Sequence, residues 1–482
     1  MNHVDVAVIG SGYGGAVTAA RLAEAGLRVR LLERGPWMQA RELKQTDDPR
    51  YVPTVLDAVV SSDNVLFRTG KLVGGASICM DGAHFRVPQK SYEAKDGSGR
   101  RYWPELYSAA SMAPYMDRAE AMLKVRQFPW SEVSKAGGLF AKMLDKVGAT
   151  CERARMAYTD CLQCGFCAQG CLFEKKVTML HSYLPLALAK GAVVEARADV
   201  HHLEPSGTGY SILYKRDGLD LSLFAERVIV AGGGIHSPAI LLRSRPWLPR
   251  LSAQVGENFN NNGEHAFLGI LPPEFDDLDS YYCYKGAENA CVMSFHWFES
   301  EGFSLHPGGG MEPAIFTAEV AAPNHPVLPA RSWGMDYKRF VESVYPHRAI
   351  GFSSLGLVPG HRAVALKPDG SPTLVPRDRT AYDAYLDRVE SVVYEVGRRT
   401  RVTLVPTTQR KLAGTTSAHL LAACRMGESP AQGVIDADCQ VHGYQNLYVV
   451  DASSIPYALG TNPALAITAI AERASERIVQ RG

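Results

Sequence analysis

Apolar residues come in short blocks, and the spacing within each block predicts an element. Val6-Ala7-Val8-Ile9 is a continuous, largely β-branched run, the pattern of a strand buried on both faces. Gly10, Gly12 and Gly15 follow. Then comes a helical stretch with Ala16, Val17, Ala20, Leu22 and Ala23 as its buried residues, which Gly26 is placed to end. Val29-Arg30-Leu31-Leu32-Glu33 predicts a second strand ending in an acid. Residues 92–130 read as helical and connecting, and residues 192–203 and 211–230 as strands and hairpins. The last of these runs into Gly232-Gly233-Gly234 and then a helix from His236, with Pro238 acceptable in its first turn. Between 267 and 409 the pattern changes to short apolar runs broken by Gly and Pro, as at 290–295, 314–320 and 349–358. That suits an antiparallel sheet forming a second domain. Residues 378–399 predict one long helix with Tyr382, Tyr385, Leu386, Val389 and Val392 as its buried stripe.

Composition narrows the class. The 482 residues carry 51 Lys+Arg against 50 Asp+Glu, so no net field is built for nucleic acid or an acidic membrane surface. No apolar run reaches the roughly 18 residues of a membrane helix, so no membrane span is expected. The opening Met1-Asn2-His3-Val4-Asp5-Val6 enters a strand pattern without the basic and apolar regions of a secretory signal. A cytoplasmic location is the resulting expectation, with most of the ten cysteines reduced.

The first strand, glycine turn, helix and second strand have the chemistry of a dinucleotide site. Gly10 allows a tight turn, Gly12 lets backbone approach a pyrophosphate, and Gly15 lets helix and strand come close. The helix N-terminus turns free N–H groups toward phosphate. Glu33 can accept from a ribose 2′-hydroxyl and would repel a 2′-phosphate. This unit alone does not separate FAD from NAD. Gly70-Lys71-Leu72-Val73-Gly74-Gly75-Ala76-Ser77 is a second glycine-rich loop through which backbone can approach a planar ligand. An ordinary turn is its other reading.

The C-terminal part adds Ala418-His419-Leu420 with Cys424-Arg425-Met426-Gly427, then Val449-Val450-Asp451-Ala452-Ser453-Ser454-Ile455-Pro456 and Gly460-Thr461-Asn462-Pro463-Ala464. With the N-terminal GSGYGGA and the VGGAS loop in the same order, the chain resembles the glucose–methanol–choline (GMC) family of FAD oxidoreductases, and in it the cholesterol-oxidase-like branch. The resemblance implies an α/β fold with a discontinuous, Rossmann-like FAD-binding domain over 1–90, 190–262 and 410–482. It implies a helical connecting region over 91–189 and an antiparallel-sheet α+β substrate domain over 263–409, arranged as in p-hydroxybenzoate hydroxylase. It assigns Gly10, Gly12, Tyr13, Gly14, Gly15, Glu33 and Arg34 to the ADP half, and Val200 to adenine. Gly74, Gly75 and Ser77 would line the flavin, Asp451 and Ala452 meet the pyrophosphate and ribityl chain, and Asn462-Pro463 face the isoalloxazine ring.

His419 and Asn462 match the family's catalytic pair in its His/Asn form. A neutral imidazole can take a hydroxyl proton near pH 7, and an amide orients the oxygen without titrating. A satisfied core histidine is the other reading of His419 taken alone. Glu319, in Phe316-Thr317-Ala318-Glu319, resembles the position where cholesterol oxidases carry a base over the flavin; a surface or ion-paired Glu is its alternative. Two departures, at Ser244-Arg245-Pro246 and at Met80-Asp81-Gly82, argue against a sterol. The expected activity is oxidation of an alcohol, a sugar, amino sugar or polyol, with an electron-acceptor protein or O2 taking the electrons. A sterol or other cyclic alcohol is the runner-up, and a non-redox FAD lyase on the same scaffold is a third reading.

Cys161, Cys164, Cys167 and Cys171 have the C-x2-C-x2-C-x3-C spacing of a ferredoxin run without its proline. An iron–sulfur cluster is one expectation; reduced structural thiols are the other. The acidic run Glu274, Asp276, Asp277 and Asp279 near Tyr281, Tyr282 and Tyr284 would draw in a cationic substrate if it lined the entrance, and is otherwise a solvated loop.

Overall fold

A computed structural model of the chain describes residues 3–46, 48, 50–275, 278–287, 291–308, 333–405 and 417–481. In chain order it opens with β1 (His3–Ile9), α1 (Tyr13–Glu24) and β2 (Val29–Glu33). It continues with β3 (Val193–Ala196), β4 (Ala198–Ser206), β5 (Gly209–Arg216), β6 (Leu219–Val230) and α2 (Gly233–Ser244). A second set follows: β7 (His265–Ile270), β8 (Phe303–Gly308), β9 (Ala349–Gly356), α3 (Thr380–Thr400) and β10 (Thr403–Val405). The chain then returns with β11 (Leu447–Val449) and α4 (Ala464–Gln480).

Five strands make one parallel sheet in the order β3-β2-β1-β6-β11. The register Ile9↔Leu32 and Ile9↔Val230 brings the strands' C-terminal ends level. Val6, Ala7 and Val8 are fully buried, as an all-apolar strand between neighbours on both sides requires. β6 is long enough to do two jobs. Its C-terminal half pairs with β1 and β11, and its N-terminal half forms an antiparallel meander with β5 and β4. Strand order reverses beside β1, the place where open α/β sheets bind ligands.

The second sheet is antiparallel, in the order β8-β9-β7-β10. α3 covers it through Tyr382, Tyr385, Leu386, Val389, Val393 and Val396. Val392 is only partly buried, because the spacing from Val389 that stays on the sheet side is four residues, to Val393. Of the other expected runs, residues 314–320 lie outside the described residues. The run at 290–295 is a two-residue strand, Val292–Met293, paired with Glu152–Arg153.

The middle of the chain attaches to the parallel sheet. Tyr92, Trp103, Tyr107, Met112 and Met116 share one hydrophobic core with β1, α1 and α4. α1 and α4 are locked by Glu472, whose fully buried carboxylate accepts from Arg21 Nε (2.9 Å), Arg21 Nη2 (2.8 Å) and Tyr183 Oη (2.6 Å). No helix among the described residues is long and apolar enough to cross a membrane.

Candidate active site

The glycines of the turn after β1 have two kinds of surroundings. A Cβ on Gly10 would lie 2.3 Å from Ala231 O, on Gly14 1.7 Å from Val450 O, and on Gly15 1.9 Å from Gly10 O. These three are glycine because backbone occupies the space. Around Gly12 no atom of the described residues beyond its chain neighbours lies within 4 Å of the added carbon. Gly12 also caps α1 with no side chain on its first N–H groups. An open cradle at a free helix N-terminus is what a dinucleotide pyrophosphate needs, so the residues present fit FAD.

The VGGAS loop lies directly against this turn. A Cβ on Gly75 would meet Gly12 Cα at 2.8 Å, and Gly74 N donates to Ser11 Oγ (2.9 Å). Ser11 Oγ in turn donates to Glu33 Oε2 (2.6 Å), and Gly35 N donates to Glu33 Oε1 (2.9 Å). The acid at the end of β2 thus organises both glycine loops. Ser77 is buried, with its hydroxyl bonded to Gly74 O (2.7 Å) and Met179 N (3.1 Å). Tyr13 is buried beside His84 and bonds to Met80 Sδ (2.7 Å). Val200 is buried on β4 and its carbonyl accepts from Arg243 Nη2 (3.3 Å). Arg34 is turned toward Asp57 (2.7 Å) and Thr69 (3.2 Å).

β11 delivers Asp451 to the same end of the sheet. Its carboxylate is filled by protein donors: Gly233 N (2.7 Å), Ser237 Oγ, Ser453 N (2.8 Å) and Ser453 Oγ (2.6 Å). Burial raises its pKa in spite of them. What this segment turns toward α1 is main chain, since Val450 O and Asp451 Cα lie where a Cβ on Gly14 would be. Ala452 O accepts from Ala422 N (3.3 Å), which ties this segment to the one carrying His419.

His419 and Asn462 come together. Asn462 Nδ2 lies 3.5 Å from His419 Nε2, and Asn462 Oδ1 is buried with no hydrogen-bond partner among the described residues. Thr461 Oγ1 next to it is also buried and unpartnered. Pro463 caps α4 immediately behind the pair. On its other side, His419 Nδ1 faces Glu264 Oε2 at 3.3 Å, an ion-pair contact that falls short of hydrogen-bond geometry. Burial alone would lower the imidazole pKa, but the Glu264 carboxylate outweighs it, Asp81 acts in the same direction, and the value is raised. The Glu264 pKa moves the opposite way: burial would raise it, and His419 and the Ser417 hydroxyl hold it below the usual carboxylate range. His306, on β8, adds a second buried imidazole. Its pKa is lowered by burial against the charges of Asp81 and Glu264, and its Nε2 has no hydrogen-bond partner among the described residues.

Sequence reasoning missed Glu264, His306 and the Asn260-Asn261-Asn262 run that holds the pair in place. Asn260 exchanges main-chain bonds with Leu421 (3.1 and 2.9 Å). Asn262 Oδ1 accepts from Leu459 N (2.7 Å) and Gly460 N (3.1 Å), while its Nδ2 donates to Thr461 O (2.8 Å). Three asparagines and an acid just before an apolar strand were the available signal. A histidine ending the apolar stretch Phe303-Ser304-Leu305 was the other.

Three expectations fare differently. Glu319 lies outside the described residues, and so do Asp276 and Asp277. Glu274 pairs with Arg401 on the surface at 2.6 Å. A cluster on the cysteine run is not supported, because no group of three or more Cys, His, Asp or Glu among the described residues is arranged to hold a metal ion. None of the ten cysteines forms a disulfide. Three of the run's four sulfurs accept hydrogen bonds: Cys161 Sγ from Gln163 N (3.4 Å), Cys167 Sγ from Tyr158 Oη (3.2 Å) and Cys171 Sγ from Lys175 N (3.3 Å). The loop instead braces the VGGAS segment. Buried Lys176 donates to Ile78 O (2.8 Å), Cys167 O (3.0 Å) and Met80 O.

Family models described as GMC oxidoreductase match residues 8–262 and 369–471. A cholesterol oxidase of Mycobacterium tuberculosis is 25% identical over 99% of this chain and 91% of its own length. A 2-methyl-1,2-propanediol dehydrogenase of Mycolicibacterium austroafricanum is 26% identical over 100% of this chain and 96% of its own. Among solved structures, pyridoxine 4-oxidase from Mesorbium loti superposes with a TM-score of 0.66 at 17% identity, covering 98% of each chain, a likeness of fold.

Proposed function

The chain belongs to the GMC oxidoreductase family, and from that premise we propose that it oxidises the CH–OH group of a small alcohol, a sugar, amino sugar or polyol, to an aldehyde or ketone with FAD. The observation carrying this reading is the meeting of His419 with Asn462, from two separate C-terminal segments tied to the glycine loops. When bound, FAD supplies the two-electron acceptor, taking hydride from the carbinol carbon. In this reading Gly10, Gly12, Gly14, Gly15 and Glu33 hold the ADP half and Gly74, Gly75 and Ser77 line the flavin. Residues 263–409 supply the substrate wall.

His419 Nε2 accepts the hydroxyl proton: the substrate O–H bond breaks and an N–H bond forms. Asn462, with Oδ1 unpartnered, orients the same oxygen without changing charge. Glu264 and His306 give that wall a polar cast, with Asp81 facing it from beyond the 74–77 loop, which suits a hydroxyl-rich substrate better than a hydrocarbon one. The two electrons then leave to dioxygen or to an acceptor protein.

The test is anaerobic mixing of the flavoprotein with glucose, glucosamine, 2-methyl-1,2-propanediol, pyridoxine and cholesterol while the flavin absorption is followed. A polar alcohol is expected to bleach it. His419→Gln should retain FAD and slow the bleaching about 10²–10⁴-fold. Equal rates in that variant remove His419 from the reaction. Bleaching by cholesterol alone moves the substrate to sterols, and no bleaching by any alcohol favours a non-redox role. Admitting air afterwards distinguishes the acceptors: prompt reoxidation means dioxygen.

A further inference from the structure

We propose that Glu264 is the positioning residue for His419: its buried carboxylate takes the Nδ1–H of the imidazole, so that Nε2 is the nitrogen left to accept a proton where Asn462 stands. This rests on the reading that His419 handles the substrate hydroxyl.

The contact is built from both ends. Glu264 immediately precedes β7, while His419 belongs to the returning C-terminal segment, so the fold and not sequence proximity brings them together. Ser417 joins them a second time. Its hydroxyl donates to Glu264 Oε2 (2.7 Å) and accepts the main-chain N–H of His419 (3.0 Å). The carboxylate therefore lies against the ring at ion-pair distance and reaches the His419 main chain through one hydroxyl. Glu264 sits next to Asn262, which fixes residues 459–461, so the acid, the base and the amide hang from one short stretch of chain.

The chemistry requires such a partner. A neutral imidazole has two tautomers, and only the one protonated on Nδ1 offers a lone pair at Nε2. An acceptor held on the Nδ1 side selects that tautomer and stabilises the imidazolium once Nε2 has taken its proton. The opposite pKa shifts of the two groups agree with this pairing. Among the described residues the other titratable groups that face His419 are Asp81, which acts in the same direction, and His306, whose own pKa burial lowers. Asn462 does not titrate.

The test reads the imidazole itself in FAD-loaded protein with isotope-labelled histidine, the His419 signal being the one lost in His419→Gln. In the wild type the midpoint should lie above the ordinary 6.5, with the neutral form protonated on Nδ1. Glu264→Gln, which keeps size and loses charge, should lower the midpoint by about one pH unit or more and mix the tautomers. Glu264→Asp withdraws the charge by one carbon, should give a midpoint in between, and carries the test if the glutamine variant does not fold. An unchanged midpoint and tautomer in the variants overturns the proposal. A His419 that titrates as expected in a protein whose flavin no alcohol reduces would instead sink the alcohol reading and leave Glu264 in its place.

Discussion

Gly12 and Gly14 stand two residues apart and are glycine for opposite reasons. Gly14→Ala drives a methyl into Val450 O, a main-chain atom that cannot move without shifting β11, so the cost is about 1–3 kcal/mol or more. Gly12→Ala meets no protein atom, at a φ of −68° that alanine accepts. It should melt like the wild type yet retain FAD about tenfold less well or worse, since the methyl enters the cradle reserved for phosphate. Thermal melts and flavin content after gel filtration separate the two effects. Glu264 and His419 give a pH signature. His419, with a raised pKa, contributes stability that is present below 6.5 and lost as pH climbs through its folded value. Glu264, with a lowered one, contributes stability present above 4.5 and lost as pH falls through its folded value. The melting-temperature gap between wild type and Glu264→Gln should therefore be widest between 4.5 and 6.5; a gap independent of pH would contradict the ion pair.

At the scale of elements, irregular segments are fixed by side chains that bond to main chain. Asn262 satisfies two N–H groups and one carbonyl of residues 459–461, just ahead of Asn462. Asn262→Ala leaves them buried and unpaired, a loss of about 2–4 kcal/mol, and should also loosen the Asn462 amide. Denaturant unfolding checks the first effect and flavin reduction the second. Between α1 and α4 the joint is ionic. Glu472→Ala leaves the Arg21 guanidinium without its buried partner and should cost about 3–5 kcal/mol in thermal unfolding, whereas a change within about 0.5 kcal/mol would mean the joint is apolar only.

Across the whole molecule, what was legible follows from the range of the forces involved. Val6–Ile9, the glycine turn and Glu33 are local patterns, and the first two strands and the one ending at Val230 pair in parallel as their apolar runs indicate. His419 and Asn462 were readable through their family motifs, and they meet. Glu264 and His306 were not, because each is an ordinary polar residue beside an apolar strand until the second sheet folds against the first. The cysteine spacing does bring Cys161, Cys164, Cys167 and Cys171 to the lining of one small cavity, but spacing alone does not make a cluster site, and no group of three or more metal-binding side chains forms among the described residues. The parallel sheet thus presents the nucleotide end, and the antiparallel sheet brings an acid and an imidazole to the pair from the C-terminal segments. The most direct test of this arrangement is a crystal structure of the flavin-loaded protein. The isoalloxazine ring should lie between the 74–77 loop and Asn462, with His419 Nε2 and the Asn462 amide over its N5 face. A ring bound elsewhere, or no flavin at saturating FAD, would contradict it.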